Sequence, residues 1–236
     1  MKESGPMNLP ATREQLKPSW DSIWEEVFQQ HEWGKYPDES FIRFVARNFY
    51  KSDRKKTKIL EVGCGPGANI WYMAREGFDT YGIDGSPTAI QRAKNRLEKE
   101  SLKAHLKVGD IVSLPYPDEF FDAVADNECL AHNSIIHMDK ILVEIKRVLK
   151  KEGLFYSRTF TDQVYLGRTQ RKLKDWEYNQ VSDGPFAGRG LVRLTTQDGI
   201  QSLYGQSLKI LSIDKIEYTN NNGAVKISEW VIICQK

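Results

Sequence analysis

From residue 58 onward, short apolar runs alternate with amphipathic segments in which apolar residues recur every three or four positions. The short runs predict buried β-strands, and the amphipathic segments predict helices that pack on a sheet. This alternation is typical of an α/β fold with a doubly wound, mostly parallel sheet and right-handed crossovers. The predicted strands are 58–62, 80–83, 104–108, 120–125, 154–160, 208–218 and 225–234, and the predicted helices are 68–76, 87–99, 138–149 and 196–204.

Both ends of the chain depart from this alternation. Aromatic residues at helical spacing, among them Trp20, Trp24 and Phe28, predict a helical segment over residues 1–50. Pro37-Asp-Glu39 marks a helix start within it. At the other end, Asn220-Asn-Asn-Gly223 predicts a hairpin, so the final strand pair is expected to be antiparallel.

Residues 161–196 are polar and interrupted by glycines, which predicts an insertion over the active-site edge within a domain spanning 51–236. Aromatic and basic side chains in this insertion could enclose a small molecule, since arginine forks suit carboxylate and phosphate groups. The same residue types also occur as ordinary packing and surface residues. The candidates are Trp176, Tyr178, Phe186, Arg189 and Arg193.

Composition narrows the function classes only modestly. Lysine and arginine total 34 against 32 acidic residues, a net charge of +2, which is too mild to indicate nucleic-acid binding. The three cysteines show no C-x-x-C spacing, which favours a reducing compartment and predicts no metal site. No apolar run approaches the roughly 18 residues that cross a bilayer, so we expect a cytoplasmic protein without a membrane span.

The segment Lys58 to Ala68 carries the clearest chemical signal. A buried strand runs into a turn that contains Gly63, Gly65 and Gly67, and the turn opens a helix. Glycines allow the backbone to approach a ligand closely, and the helix-start amides present a positive end to it. The turn also satisfies the dinucleotide fingerprint, so by itself it predicts a nucleotide-type cofactor without identifying which one.

Three carboxylates stand at or just after the ends of predicted strands. Glu61 stands two residues before Gly63, where it could meet a cationic group. Asp84 ends the second strand, where a carboxylate can accept both hydroxyl protons of a ribose. Asp110 follows the third strand, where it can accept from an adenine amine.

Together these residues resemble the S-adenosylmethionine-dependent methyltransferases with the seven-stranded Rossmann-like sheet, in the branch that acts on small molecules. The resemblance covers residues 58–236. It is carried by Glu61-x-Gly-x-Gly-x-Gly67, Asp84-Gly-Ser-Pro, Gly109-Asp110, Phe121-Asp-Ala-Val and the run from Glu144 to Gly153.

The resemblance implies S-adenosylmethionine as cofactor, S-adenosylhomocysteine as product and a small-molecule acceptor. Glu61 to Gly67, including Cys64, would cradle the methionine half, although Cys64 also suits simple packing. Asp84 with Gly85 would hold the ribose, and Asp110 with Ile111 would bracket the adenine. Outside the resemblance, Trp33 and Tyr36 of the amino-terminal segment could act as a lid that encloses the acceptor and retains the cofactor, although aromatic residues there also suit helix packing.

Catalytic candidates cluster after the fourth strand, at the sheet edge where ligands of such folds bind. His132 is the first candidate for a general base, and Glu128 is the second. Asp126 and Asn127 are expected to help orient the cofactor. The His132 position is also compatible with a structural or positioning role.

Three function classes remain open on the sequence. The favoured class is a methyltransferase acting on an oxygen or nitrogen atom of a small molecule. The second is an NAD(P)-dependent oxidoreductase, which is weakened because the chain has no Tyr-x-x-x-Lys pair. The third is a non-catalytic S-adenosylmethionine-binding regulatory protein. A nucleic-acid substrate is disfavoured, because Asp126-Asn-Glu-Cys stands where base methyltransferases carry Asp/Asn-Pro-Pro-Tyr/Phe.

Overall fold

A computed structural model describes residues 18–236. Six helices and ten strands occur in this part of the chain. The helices are α1 Ile23–Gln30, α2 Glu39–Phe49, α3 Ala68–Arg75, α4 Pro87–Glu98, α5 Ile135–Val148 and α6 Gln197–Tyr204. The strands are β1 Lys58–Val62, β2 Asp79–Asp84, β3 His105–Val108, β4 Phe121–Asn127, β5 Leu149–Phe160, β6 Arg171–Lys174, β7 Glu177–Asn179, β8 Val192–Arg193, β9 Lys209–Asn220 and β10 Val225–Gln235.

The main sheet has seven strands in the order β3-β2-β1-β4-β5-β10-β9. The first five strands in that order run parallel, and β10 runs antiparallel to both of its neighbours. Asn221, Asn222 and Gly223 all adopt positive φ in the turn that joins the last two strands. The predicted α/β class and the antiparallel terminal hairpin are therefore confirmed.

Helices cover both faces of the sheet, because the central strands are apolar on both sides. On one face, α5 and α6 pack against β1, β4 and β5 through a core that includes Ile141, Ile145 and Tyr204. On the other face, α2, α3 and α4 bury residues such as Phe41, Ile70 and Ile90. The carboxyl ends of the parallel strands are left open to form a site.

The amino-terminal segment is less helical than its aromatic spacing predicted. Asp38 caps α2 by accepting from the Ser40 and Phe41 amides, so the predicted helix start is confirmed. The first helix begins only at Ile23, because the chain turns where the Asp21 side chain accepts from the Ile23 amide. Trp20 therefore precedes the helix, and residues 1–17 of the predicted lid lie outside the described part of the chain.

The insertion at 161–196 was predicted only as an irregular polar stretch, and it contains a small sheet in the order β6-β7-β8. A separate core of Phe160, Phe186, Val192 and Leu194 supports it. Strand β4 also runs two residues further than predicted, to Asn127, because it pairs with β5 as far as Arg158. This extension places Asp126 and Asn127 in the strand itself.

Candidate active site

A cavity of about 290 Å³ lies over the carboxyl ends of β1, β2 and β4. Its floor comes from the turns that follow these strands, and the amino-terminal segment covers it. Most of the predicted cofactor and catalytic residues line it together. These are Trp33, Tyr36, Glu61, Gly63, Cys64, Gly65, Asp84, Gly85, Asp110, Ile111, Asn127, Glu128 and His132.

Two positions of the glycine turn, Gly63 and Gly65, require glycine for different steric reasons. Gly63 has φ of +63°, and a Cβ there would lie 2.2 Å from the Cys129 sulfur. Gly65 has φ of +51°, and a Cβ there would approach only the Phe28 ring, at 3.5 Å. A side chain at Gly63 would clash with the protein, whereas one at Gly65 would occupy the cavity floor and keep a ligand away from the backbone.

Glu61 presents an uncompensated acceptor at this turn. Its side chain is buried, and Oε1 accepts from the Asn69 amide nitrogen at 2.7 Å. Its Oε2 atom has no hydrogen-bond partner among residues 18–236. Burial raises the pKa of Glu61 well above its usual range, and the neighbouring Asp84 and Asp126 carboxylates act in the same direction. A cationic group bound here would satisfy the free oxygen and favour the ionised form.

Asp84 is held by backbone amides. Its Oδ2 accepts from the Gly65 amide and its Oδ1 from the Ser86 amide, each at 2.8 Å. Burial raises its pKa, although these two hydrogen bonds oppose the rise. A carboxylate offers about four acceptor positions, so two remain for ligand hydroxyl groups. The Trp20 ring packs directly over the adjacent Gly85, where a Cβ would lie 2.4 Å from the ring.

Asp110 connects the third strand to the amino-terminal cover. Its Oδ2 accepts from the Ser19 amide at 2.7 Å, and its Oδ1 accepts from the Ser19 hydroxyl at 2.5 Å. The Val112 amide also donates to Oδ1, at 3.0 Å. Ser19 thus engages the carboxylate that was predicted to receive an adenine amine. No sequence pattern predicts this role for Ser19, because the contact joins segments 91 residues apart.

A second anchor fixes the cover to the sheet. The Glu25 carboxylate accepts from the Ser86 hydroxyl and, at 2.5 Å, from the Thr88 hydroxyl. Both donors stand at the start of α4, where a negative charge is stabilised. Burial opposes ionisation, but the hydrogen bonds from Ser86 and Thr88 outweigh it and lower the pKa of Glu25.

On the other side of the cavity, buried Arg158 gathers three carboxylates. Its guanidinium lies 2.9 Å from Asp38, 3.5 Å from Glu128 and in closer contact with Glu229. Burial raises the pKa of Glu128 to about 8. The charge of Arg158 opposes this rise, whereas Glu229 and Asp38 add to it. Glu128 also has φ of +69°, an uncommon conformation for this residue type. Beside it, the Oδ1 atom of Asn127 has no partner.

His132 faces the cavity with a defined tautomer. Its Nδ1 lies 2.7 Å from the Leu191 carbonyl oxygen. Because a carbonyl only accepts, Nδ1 carries the proton and Nε2 keeps a lone pair. Nε2 has no hydrogen bond from residues 18–236. Burial lowers the pKa of His132 to about 4, and the charge of Arg189 adds to this shift, while the bond to Leu191 opposes it.

Aromatic rings form the wall around His132. The Trp24 ring lies 4.7 Å from the imidazole, and Trp24, Phe28 and Trp33 contact one another with centroids 5.5 to 5.9 Å apart. The guanidinium carbon of Arg189 lies over the Trp33 ring, 5.1 Å from its centroid. Trp24, Phe28 and Asp38 were not predicted as site residues, because helical spacing of aromatics is equally typical of ordinary packing.

Several predicted residues lie elsewhere. Asp126 is fully buried and does not line the cavity: it accepts from the Leu130 amide at 2.9 Å and from the Ser157 hydroxyl at 2.6 Å. The structure therefore gives Asp126 a packing role beneath the site instead of the predicted cofactor contact. Gly67 also stays outside the cavity lining, and a Cβ there would lie 2.8 Å from Ala93, so its role is close packing of α3 on α4.

In the insertion, only Arg189 reaches the cavity. Arg193 is buried and donates to the Leu130 and Asn133 carbonyls and to the Thr195 hydroxyl, which fixes the turn that carries His132. Phe186 packs against Phe160 within the core of the insertion. Trp176 and Tyr178 do not line the cavity either, so the predicted enclosure by these aromatic residues is wrong.

The cysteines in the site are packing residues. Cys64 and Cys129 are free thiols, and burial raises the pKa of each well above its usual range. Each thiol is therefore protonated near neutral pH. Among residues 18–236, no group of three or more His, Cys, Asp or Glu side chains is arranged to hold a metal ion, and no helix is long and apolar enough to cross a membrane.

Comparison with known proteins assigns the family. A family model described as a methyltransferase domain matches residues 53–217. A sterol 24-C-methyltransferase of Pneumocystis carinii is 32% identical over 166 residues, covering 67% of this chain and 42% of the relative. A demethylmenaquinone methyltransferase of Tropheryma whipplei is 37% identical over 97 residues, covering 41% of this chain and 38% of the relative. The chain thus spans about half or less of the length of such curated relatives.

A solved structure of an S-adenosylmethionine-dependent methyltransferase from Methanosarcina mazei has a TM-score of 0.65 at 24% identity, covering 77% of this chain and 93% of that one. The chain therefore belongs to the methyltransferase domain family, and its fold is the seven-stranded Rossmann-like fold of these enzymes.

S-adenosylmethionine is the cofactor that this family implies, and the free polar groups of the cavity fit it. The unpaired Oε2 atom of Glu61 suits the cofactor's ammonium group, and the two unused acceptor positions of Asp84 suit ribose hydroxyls. The floor at Gly65, which a Cβ would obstruct, admits the chain that joins these two parts.

Proposed function

We propose that this protein transfers the methyl group of S-adenosylmethionine to an oxygen or nitrogen atom of a small-molecule acceptor, with His132 as the proton acceptor. One observation carries the proposal. One cavity is lined both by Glu61, whose Oε2 has no hydrogen-bond partner among residues 18–236, and by His132, whose Nε2 keeps a lone pair.

The cofactor supplies a methyl group already activated on a sulfonium, so the protein must position the partners, exclude water and remove a proton. Glu61, Gly65 and Asp84 hold the cofactor at the strand ends. Trp24, Phe28 and Trp33 separate the cavity from solvent, which strengthens its electrostatic interactions.

His132 then accepts the proton of an acceptor hydroxyl or ammonium group at Nε2. The Leu191 carbonyl holds Nδ1 protonated, which fixes this orientation of the ring. Glu128 is the second candidate for the base. Its ion pair with Arg158 occupies one side of the carboxylate and favours a role in holding the site together.

The proposal is tested by calorimetry followed by an acceptor screen. We expect S-adenosylhomocysteine to bind the full-length protein and NAD not to bind. Incubation with S-adenosylmethionine and pools of small phenols, amines and quinols should then give products one methyl group heavier by mass spectrometry. Binding of NAD in place of S-adenosylhomocysteine would overturn the proposal in favour of an oxidoreductase.

The alternative is a non-catalytic S-adenosylmethionine-binding regulatory protein. It predicts the same cofactor affinity without methyl transfer to any acceptor pool. The orientation of His132 favours catalysis, because a binding protein gains nothing from a fixed, unpaired imidazole nitrogen that faces its cavity.

A cytoplasmic location is part of the same proposal. It is supported by the three free cysteines, Cys64, Cys129 and Cys234, because a reducing compartment keeps thiols unpaired. Fractionation of cells that produce the untagged protein, followed by immunoblotting, tests it: recovery mainly outside the cytoplasm would contradict the location without touching the proposed reaction.

A further inference from the structure

Arg189 is the one insertion residue that reaches the cavity within the described part of the chain. It follows a short 3₁₀ turn at Gly184–Phe186, and its amide donates to the Phe186 carbonyl at 3.1 Å. Its guanidinium lies over the Trp33 ring, with 5.1 Å to the ring centroid, and its charge acts on His132. Arg189 thus borders the part of the cavity where the proton acceptor stands.

The guanidinium groups of two other arginines near the site are paired with acceptors, which allows a comparison with Arg189. Arg158 is paired with three carboxylates, and Arg193 donates to two carbonyls and a hydroxyl. Arg189 differs: among residues 18–236 no carboxylate lies within 4 Å of it and no side chain accepts its hydrogen bonds. Only the more distant charge of Glu128 acts on it favourably.

This arrangement leaves the N–H groups of Arg189 without a side-chain acceptor among residues 18–236. The cation–π contact with Trp33 does not use these N–H groups as hydrogen-bond donors to an anion. Partial burial without a counter-ion costs free energy, and burial lowers the pKa of Arg189 accordingly. A planar fork with free donors matches an oxyanion and can bind it through two parallel hydrogen bonds.

We propose that the acceptor carries an oxyanionic group, such as a carboxylate or a phosphate, and that Arg189 determines this specificity by binding it. The inference rests on the proposed function, because it places the acceptor in the cavity beside His132. Glu128 does not compete for Arg189, since its contact within 4 Å is with Arg158.

The rival anion is the carboxylate of the cofactor itself. The two cases differ in a measurable way, because S-adenosylhomocysteine contains that carboxylate and 5′-methylthioadenosine lacks it. If Arg189 binds the cofactor, Arg189→Met weakens S-adenosylhomocysteine selectively. If Arg189 binds the acceptor, the affinities for both nucleosides stay within about twofold of the parent.

The experiment uses the full-length protein saturated with S-adenosylhomocysteine. Calorimetry measures the binding of small acids, each paired with a neutral partner: benzoate with benzamide, 4-hydroxybenzoate with 4-hydroxybenzamide, and phenylphosphonate with its dimethyl ester. We expect at least one acid to bind about ten- to a hundredfold tighter than its partner, the size of a charge-assisted hydrogen-bonded pair. In Arg189→Met this preference should fall to about threefold or less.

Arg171→Met is the matched control, because it removes the same charge from an exposed position on β6 outside the cavity. It should keep the preference for the acid. The inference is overturned if the parent shows no preference for any acid, if Arg189→Met keeps the preference, or if Arg189→Met weakens only S-adenosylhomocysteine. Failure of S-adenosylhomocysteine to bind the parent would instead overturn the proposed function itself.

Discussion

The two halves of the cavity are built in different ways. In the proposed cofactor half, the carboxylates stand at or just after the strand ends and are held by groups of the adjoining turns, as Asp84 is by the Gly65 and Ser86 amides. In the acceptor half, the wall combines side chains from segments far apart in sequence, such as Trp24, His132 and Arg189. Backbone anchoring ties the first half to the fold, whereas the second half depends on side-chain contacts.

This difference separates what the fold imposes from what the individual chain adds. A carboxylate at the end of β2 can be placed by any chain that forms this sheet, because the amides that hold it belong to the neighbouring turns. The contact between Arg189 and Trp33 requires a particular insertion and a particular amino-terminal cover. Under the proposed function, the cofactor contacts follow from the fold, whereas the acceptor contacts depend on segments outside the main sheet.

The largest effect is expected in the acceptor half. His132→Ala should lower kcat by about 10²- to 10⁴-fold, because the lost proton acceptor acts only in the transition state. The dissociation constant of S-adenosylhomocysteine should stay within about threefold. His105→Ala is the control, since His105 is exposed on β3 and does not line the cavity. A loss of only a few fold in His132→Ala would reject His132 as the base.

The pH dependence of kcat distinguishes the two candidate bases. Burial lowers the pKa of His132 to about 4, so a reaction that uses neutral His132 should reach its plateau by about pH 5.5 and remain flat to neutrality. Burial raises the pKa of Glu128 to about 8, so a reaction that uses ionised Glu128 should be about a hundredfold below its plateau at pH 6. We expect the first profile, and the second profile would assign the base to Glu128.

The fold was predictable from the sequence because its central strands, such as β1 and β4, are buried on both faces and form distinct apolar runs in the sequence. The mostly parallel sheet followed from the alternation of elements, and its antiparallel final pair followed from the turn at Asn220–Gly223. The small sheet of β6, β7 and β8 was not predictable: β6 is exposed and β8 has two residues, so neither has a periodic apolar pattern.

Prediction of which residues line the cavity succeeded where a residue's position follows from its place in a motif, whereas their contacts with the cofactor stay predictions. Glu61, Asp84 and Asp110 all line the cavity, as strand-end residues of one sheet edge should. It failed for Asp126, because the extension of β4 turns this side chain toward Ser157 in the core. Ser19 and Arg158 could not be predicted, since their partners are set by tertiary contacts between distant segments.

In the cofactor half, Asp84→Ala should weaken S-adenosylmethionine, S-adenosylhomocysteine and 5′-methylthioadenosine alike, because all three contain the same ribose. Loss of a charged acceptor should cost about 1.5–3 kcal/mol, or roughly ten- to a hundredfold in affinity. Calorimetry measures the three constants, and circular dichroism checks folding, because the Gly65 and Ser86 amides also lose their acceptor. An unchanged constant in the folded variant would contradict the ribose assignment.

The smallest effect on cofactor affinity is expected for Asp126→Asn, because Asp126 is buried and does not line the cavity. Affinity for S-adenosylhomocysteine should stay within about twofold, because the Asn oxygen can still accept from the Leu130 amide and the Ser157 hydroxyl can donate to Tyr204 instead. Tenfold weaker binding would show that Asp126 acts on the cofactor after all.

The pH dependence of the unfolding free energy should reveal the effect of burying the Asp126 carboxyl group, which measurements of cofactor affinity do not report. Burial raises the pKa of Asp126 to about 6, above the ordinary value of 3.8, so the folded protein holds this proton more tightly than the unfolded chain. The resulting stabilisation is complete below about pH 3.8 and is lost as the pH rises through about 6. Asp126→Asn lacks this titrating group. Between pH 4 and pH 7, the unfolding free energy of the parent should therefore fall by about 1–3 kcal/mol relative to that of the variant. Urea unfolding at both pH values measures it, and a difference independent of pH would show that the Asp126 carboxyl titrates normally in the folded protein.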